Sequence, residues 1–224
     1  MPFPRFIWLH GFASGPQSRK GLYLRERLEE RGAHLVIPNL NLPAFFDLTV
    51  SRTLAQIDEL AQGDGPVVLL GSSLGGFTAA TWAATRPART AALVLLAPAF
   101  GLGPRWSARM EPEDLSRWRR HGRIEFDHYV TGKKEFLGIG FLDDALAHDP
   151  FPLPRAPTLV LQGLRDDVVE PQLAREFTAL MQGRAKLVEL DQGHDLAGDL
   201  PRLWREIEPH LEPHLPQVPR PTPK

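Results

Sequence analysis

The chain has 224 residues, of which 42% are hydrophobic and 24% are charged, and its formal net charge at pH 7 is −1. A chain of this size can bury one full core but is short for two, so a single domain is predicted, and its neutral balance argues against nucleic-acid or anionic-membrane partners. The sequence contains no cysteine, which excludes disulfide bonds, thiolate metal sites and a cysteine nucleophile.

Short, continuous apolar runs recur along the chain. They occupy residues 6–9, 35–37, 67–70, 93–96, 158–161 and 187–190. Continuous rather than alternating hydrophobicity is typical of parallel strands that are buried on both faces. The first run is too short for a signal peptide and no later run reaches the ~20 apolar residues of a membrane span, so we expect a cytoplasmic protein.

Segments with helical spacing lie between several of these runs. One carries Leu54 and Ile57 after a possible N-cap at Thr49 or Ser51, and another begins at Pro171. Strands that alternate with helices predict an α/β fold, in which a doubly wound, mostly parallel sheet has helices on both faces. Ligands of such sheets bind beyond the carboxyl ends of the strands, where we expect the chemistry.

Residues 98–156 break this rhythm. They carry aromatic side chains among many charges and contain no clear core strand, which indicates an insertion or lid. The basic run at residues 117–123 is interpreted as a solvated helix face rather than an anion site. The single domain is predicted to span residues 1–212, and the proline-rich residues 213–224 are predicted to be an unpacked tail.

The third apolar run leads into Gly-Ser-Ser-Leu-Gly-Gly at residues 71–76, a GxSxG motif between a strand and a helix. A sharp turn can lift one serine above the sheet only if the residues two places away on either side are small, as Gly71 and Gly75 are for Ser73. If Ser72 were the nucleophile instead, the residues two places away would be Leu70 and Leu74, whose side chains would crowd the turn. The motif lacks the lysine of a phosphate-binding loop, so we predict that Ser73 is a nucleophile.

A serine nucleophile needs a base and a group that orients the base, and in this type of fold the chain order is serine, acid, histidine. Asp166 and Asp167 both follow the fifth apolar run. Gly163 permits a turn before them, and Val168 and Val169 are expected to pack under the sheet and hold the loop. By analogy with this class of motif, Asp166 is favoured over Asp167.

His194 lies just beyond the last apolar run, at the position expected for the base. The oxyanion hole is predicted from the amide that follows the nucleophile, at Leu74, and from the amide of Phe12, where Gly11 lets the backbone turn. His10 is expected to be buried and bonded to the backbone as a support for that turn. No HExxH motif or carboxylate cluster is present, so neither a metal nor a cofactor is expected.

These motifs resemble those of the α/β-hydrolase superfamily. The resemblance rests on HGF at residues 10–12, GSSLGG at 71–76, LQGLRDDVV at 161–169 and GHD at 193–195. Residues 9–20 are similar to small bacterial esterases of the YqiA type, and residues 148–171 are similar to ABHD10-like acyl-protein thioesterases. Gln162 stands where a histidine is common and Glu170 where a proline often occurs, and neither position belongs to the predicted triad.

The resemblance implies an activity without a cofactor. It implies that Ser73, Asp166 and His194 hydrolyse a carboxylic ester or thioester of a small acyl substrate through an acyl-enzyme. A lactonase or peptidase with the same three residues is an alternative within the enzymes. A binding protein that keeps the fold without turnover is the alternative from another class, because a fold alone does not establish a function.

Overall fold

The computed structural model describes residues 4–63 and 65–216. Within these ranges the strands are β1 (Arg5–Leu9), β2 (Leu35–Val36), β3 (Val67–Ser72), β4 (Thr90–Leu96), β5 (Arg123–His128), β6 (Lys133–Gly138), β7 (Thr158–Gly163) and β8 (Ala185–Leu190). The α-helices are α1 (Arg19–Glu30), α2 (Val50–Leu60), α3 (Leu74–Thr85), α4 (Leu102–Arg109), α5 (Pro112–His121), α6 (Gly140–Leu146), α7 (Pro171–Leu180) and α8 (Leu200–Leu211).

Six of these strands form one sheet in the order β2-β1-β3-β4-β7-β8, and every neighbouring pair is parallel. Each of the six apolar runs lies in one of these strands, so the predicted doubly wound sheet is confirmed. Because all six strands run the same way, the residues that follow β1, β3, β7 and β8 emerge at one edge of the sheet.

Apolar side chains fill both sides of the sheet, because successive residues of a strand point to opposite faces. On one side, Ile7 and Leu69 pack in the same cluster as Phe77 of α3. On the other side, Trp8 packs in the same cluster as Leu203 of α8. Each fully buried side chain of this size contributes about 2 kcal/mol through its removal from water.

The two helices predicted from spacing begin at definite signals. The hydroxyl of Thr49 accepts a hydrogen bond of 3.0 Å from the amide of Arg52, so Thr49 rather than Ser51 caps α2. Helix α7 begins at Pro171, whose missing N–H costs nothing at a first helical position.

Residues 98–156 contain α4, α5, α6 and an antiparallel hairpin of β5 and β6, and their buried side chains, such as Phe141, pack in the same cluster as Ile7 and Phe77. The hairpin was not predicted, because its side chains alternate between exposed and partly buried and give no continuous apolar run. Residues 117–121 of the basic run lie in α5, where Arg117 pairs with Asp114 and Arg119 pairs with Asp143 at the surface, whereas Trp118 is fully buried.

The predicted tail divides into two parts. Glu212–His214 forms a 3-10 turn and the side chain of Leu215 is only 4% exposed, so the first residues of this segment pack against the domain rather than hanging free. Residues 217–224 lie outside the described residues. Within the described ranges, no helix combines the length and the apolar character that crossing a membrane requires.

Candidate active site

Ser73 occupies the sharp turn between β3 and α3. Its backbone has φ 51° and ψ −115°, a conformation that residues with a side chain rarely adopt. A Cβ atom on Gly75 would overlap the carbonyl oxygen of Leu9, and one on Gly71 would overlap the carbonyl oxygen of Gly75. Both glycines are therefore required for the close approach of β1, β3 and α3 that places Ser73 at the apex.

The side chains of Ser73, His194 and Asp166 form one hydrogen-bonded series. Nε2 of His194 lies 3.1 Å from Oγ of Ser73, and Nδ1 of His194 lies 2.9 and 3.0 Å from the two carboxylate oxygens of Asp166. Because a carboxylate accepts, Nδ1 carries the proton in the neutral ring and Nε2 presents a lone pair to the serine hydroxyl. The structure thus brings the three predicted residues together at the carboxyl edge of the sheet.

The carboxylate of Asp166 is fully buried and extensively hydrogen-bonded. Oδ1 accepts from the amides of Val168 and Val169 at 3.0 and 2.8 Å, and Oδ2 accepts from Nε2 of Gln162 at 2.8 Å. Burial by itself would raise the pKa of Asp166, yet the hydrogen bonds from His194, Val169 and Gln162 hold that pKa below its ordinary value. Asp166 is therefore an anion at neutral pH.

The neighbouring residues of this loop have different roles. The side chain of Asp167 is exposed to solvent. Val169 is buried, as expected, but the expectation for Val168 is wrong because its side chain is 47% exposed. The backbone of Val168 holds the loop instead, since its carbonyl oxygen accepts hydrogen bonds from Arg105 and Arg109 of α4.

The two amides predicted for the oxyanion hole lie beside Ser73. Leu74 is the first residue of α3, so its N–H has no acceptor within the helix. A Cβ atom on Gly11 would lie 3.5 Å from Cβ of Ser73, which places the turn containing Phe12 against the serine. Within the described ranges, neither amide donates to a backbone carbonyl.

His10 supports the turn after β1. It is 2% exposed, its Nε2 accepts from the amide of Leu40 at 3.0 Å, and its Nδ1–H donates to the carbonyl of Gly11 at 2.9 Å. These partners select the neutral ring, and burial lowers the pKa of His10 to about 4 despite its hydrogen bond to Gly11.

A cavity of about 490 Å³ opens above Ser73 and His194. One part of its wall is aromatic, where the ring of Phe12 lies 5.1 Å from Trp106 and 5.2 Å from Phe126. Residues 98–156 supply the latter two rings, so this segment forms part of the cavity wall. The volume is in the range of small-ligand sites.

Sequence reasoning missed three cations that line the cavity, Lys20 of α1 and Arg105 and Arg109 of α4. A single lysine or arginine on a helix gives no periodic signal. Lys20 lies within residues 9–20, the segment similar to small esterases, but no motif in that segment indicated a role for it.

Comparison with known proteins gives one family and one fold. A family model described as "Uncharacterised protein family (UPF0227)" matches residues 5–209. Lipase LipV of Mycobacterium tuberculosis is 52% identical over 60 residues, which are 27% of this chain and 22% of the lipase, so the match spans about a fifth of that protein.

Two solved structures are similar over most of their length. Est1E from Butyrivibrio proteoclasticus is 21% identical with a TM-score of 0.75, and 95% of this chain and 88% of that chain are covered. Alpha/beta hydrolase domain-containing protein 10 from mouse is 20% identical with a TM-score of 0.72, and 95% of this chain and 92% of that chain are covered. These similarities show the fold that the chain shares with them.

Proposed function

Because the chain belongs to the family UPF0227 and has the α/β-hydrolase fold, we propose that it is a serine hydrolase that cleaves carboxylic esters or thioesters of small acyl substrates. The observation that carries the proposal is the hydrogen-bonded series Ser73–His194–Asp166 at the floor of a cavity with an aromatic wall. A serine hydroxyl is a poor nucleophile at its ordinary pKa, and an adjacent, correctly oriented base is what activates it.

In the first half of the reaction, Oγ of Ser73 attacks the substrate carbonyl while Nε2 of His194 takes the hydroxyl proton. The oxyanion that forms accepts hydrogen bonds from the amides of Phe12 and Leu74. The buried carboxylate of Asp166 holds the histidine in the required tautomer and stabilises the imidazolium. His194 then gives its proton to the departing oxygen or sulfur, and the acyl group stays on Ser73.

In the second half, a water molecule takes the place of the leaving group. Nε2 of His194 removes its proton as the water oxygen attacks the acyl carbonyl, and the same two amides stabilise the second oxyanion. His194 returns the proton to Oγ of Ser73, and the carboxylic acid is released. No redox step or metal-bound water is required by this sequence of proton transfers.

The test is covalent labelling of the purified full chain with a fluorophosphonate, followed by peptide mass mapping. We expect the label on Ser73 in the wild-type protein and no label in Ser73→Ala, with an ester and thioester panel then defining the leaving group. A folded wild-type sample that takes no label and turns over no ester or thioester would overturn the proposal and favour a binding protein.

A further inference from the structure

Lys20 extends from the first turn of α1 into the cavity that contains Ser73 and His194. Its ammonium group donates a hydrogen bond to the backbone carbonyl of Asp195, the residue that follows His194. An ammonium group has three N–H donors, so two remain for other partners. Within the described ranges no carboxylate lies at ion-pair distance from Lys20, although Asp166 and Asp195 attract its charge from farther away.

The other cations of the cavity wall, Arg105 and Arg109 of α4, are bound to protein acceptors. Both pair with Glu170, at 3.0 and 2.8 Å, and both donate to the carbonyl oxygen of Val168. Glu170 cancels one of the two guanidinium charges, and a new anion would have to compete with it for their N–H groups. Lys20 is therefore the cation of this wall, among the described residues, that pairs with no carboxylate.

A hydroxyl donor lines the same cavity as Lys20. Nε1 of Trp8 donates to Oγ of Ser18 at 3.2 Å, which leaves the hydroxyl proton of Ser18 free to donate elsewhere. Ser18 lines the same cavity and is the residue before α1 begins. An ammonium and a hydroxyl that both have unused donors suit an oxyanion such as a carboxylate or a phosphate.

The contact between Lys20 and Asp195 places the ammonium on the histidine side of Ser73. In acyl transfer the leaving group departs toward the histidine, because the histidine must protonate it. The aromatic wall, by contrast, comes from the turn of Phe12 and from residues 98–156, and it suits an apolar acyl group.

We propose that Lys20 and Ser18 form a subsite for a negatively charged oxygen group, a carboxylate or phosphate, on the leaving group of the substrate. This inference rests on the serine hydrolase function proposed above and narrows its substrate class to esters or thioesters with an anionic leaving group and an apolar acyl group.

The experiment compares two butyryl esters that differ in charge alone, those of 3-hydroxybenzoate and of the neutral 3-hydroxybenzamide. The measured quantity is the ratio of their kcat/KM values. We expect the wild-type protein to favour the benzoate, and Lys20→Met and Lys20→Gln each to lower the ratio at least about 10-fold. Arg19→Met, which removes an exposed charge from the neighbouring position of α1, should leave the ratio unchanged.

The pH dependence of the wild-type ratio is a second measurement that needs no variant. Burial lowers the pKa of Lys20 to about 8, so the ammonium loses its proton between pH 7 and 9.5 and the ratio should fall over that interval. Proton transfer through His194 is common to both esters and cancels in the ratio. Arg105 keeps its charge throughout, as does the carboxylate of Asp166.

Three results would overturn the subsite. If the Lys20 variants lose kcat/KM equally on both esters, Lys20 only holds the His194 loop. If the ratio of the two kcat/KM values does not change with pH, the charge of Lys20 is not used. In 4-nitrophenyl hemiglutarate the anion is on the acyl group. If the Lys20 variants lose more activity on this ester than on the benzoate ester, the subsite binds the acyl side instead. Absence of turnover with every ester, together with absence of fluorophosphonate labelling, would overturn the serine hydrolase proposal itself.

Discussion

Nε2 of Gln162 donates a hydrogen bond of 2.8 Å to the carboxylate of Asp166. Gln162 is fully buried at the end of β7, and the same nitrogen also faces the carbonyl oxygens of Val169 and Gly163 at 3.2 and 3.4 Å. Three acceptors surround this nitrogen, so the amide must point its N–H groups at them. A glutamine at this position thereby helps to hold Asp166, rather than Asp167, beneath His194.

Asp166→Asn should lower kcat about 1,000- to 10,000-fold, because an uncharged amide can neither stabilise the imidazolium nor hold His194 in the required tautomer. Asp167→Asn is the matched control, since its side chain is exposed one residue away, and it should change kcat less than about 3-fold. Steady-state hydrolysis of a butyryl ester measures both. A greater loss in the Asp167 variant would reverse the assignment of the acid.

Most of the sheet could be predicted from the sequence because β1, β3, β4 and β7 are buried on both faces and read as continuous apolar runs. Helices α1 and α8 were not predicted. Helix α1 buries only Gly21, Leu24 and Leu28 among many charges, and α8 contains Pro209, which argues against a helix on local grounds. In both helices, packing against the sheet outweighs local preference.

The sequence predicts some residues of the candidate site more firmly than others. Ser73 and His194 are marked by the loops that contain them, whereas spacing alone left Asp166 and Asp167 adjacent and open. What separates the two aspartates is a set of donors from Gln162, Val168 and Val169, which exists only once the loop is folded. The anion subsite at Lys20 depends likewise on contacts between distant parts of the chain.

Ser73→Ala should lower kcat/KM at least about 10,000-fold, because it removes the hydroxyl that lies 3.1 Å from Nε2 of His194 at the apex of the turn. Alanine also tolerates the backbone there no worse than serine, so the thermal midpoint of unfolding should change little. Ser72→Ala is the control in the neighbouring position, where the side chain is 5% exposed at the end of β3. Equal losses in the two variants would contradict the assignment of Ser73 as the nucleophile.

Arg105 ties α4, within residues 98–156, to the loop of Asp166. Its side chain is 15% exposed, its Nε donates to Glu170 at 3.0 Å, and its guanidinium also donates to the carbonyl of Val168. Arg105→Met should lower kcat/KM about 10-fold, since the loop whose amides bind Asp166 loses its anchor to α4.

The control for Arg105 is Arg119→Met, which removes an exposed ion pair with Asp143 elsewhere in the same segment. Exposed pairs contribute little, so its kcat/KM should change less than about 2-fold. Hydrogen exchange should show weaker protection of α4 in Arg105→Met and not in Arg119→Met. Unchanged exchange and unchanged kcat/KM in Arg105→Met would show that neither α4 nor the loop of Asp166 depends on this anchor.

The pKa of His10 makes a prediction about stability in acid. In the folded protein burial lowers this pKa from 6.5 to about 4, so between those values the unfolded chain binds a proton that the folded chain does not. The free energy of unfolding must then fall as the pH falls from about 6.5 to about 4, by about 3 kcal/mol from this group. Asp166, with its lowered pKa, contributes below this window.

His10→Gln isolates that contribution. The glutamine oxygen can still accept from the amide of Leu40, but the variant loses the donor to Gly11 and should cost about 1 kcal/mol at pH 7.5. Urea unfolding of both proteins at pH 7.5, 6, 5 and 4.5 gives the comparison, and residues such as His210 titrate in both and cancel in the difference. We expect the difference in free energy of unfolding between wild type and variant to narrow and then change sign as the pH falls. The reason is that only the wild-type protein has a histidine at position 10, and its protonation favours the unfolded chain. A difference that stays constant over this range would mean that the folded and unfolded proteins protonate His10 over the same pH interval, and would contradict the lowered pKa.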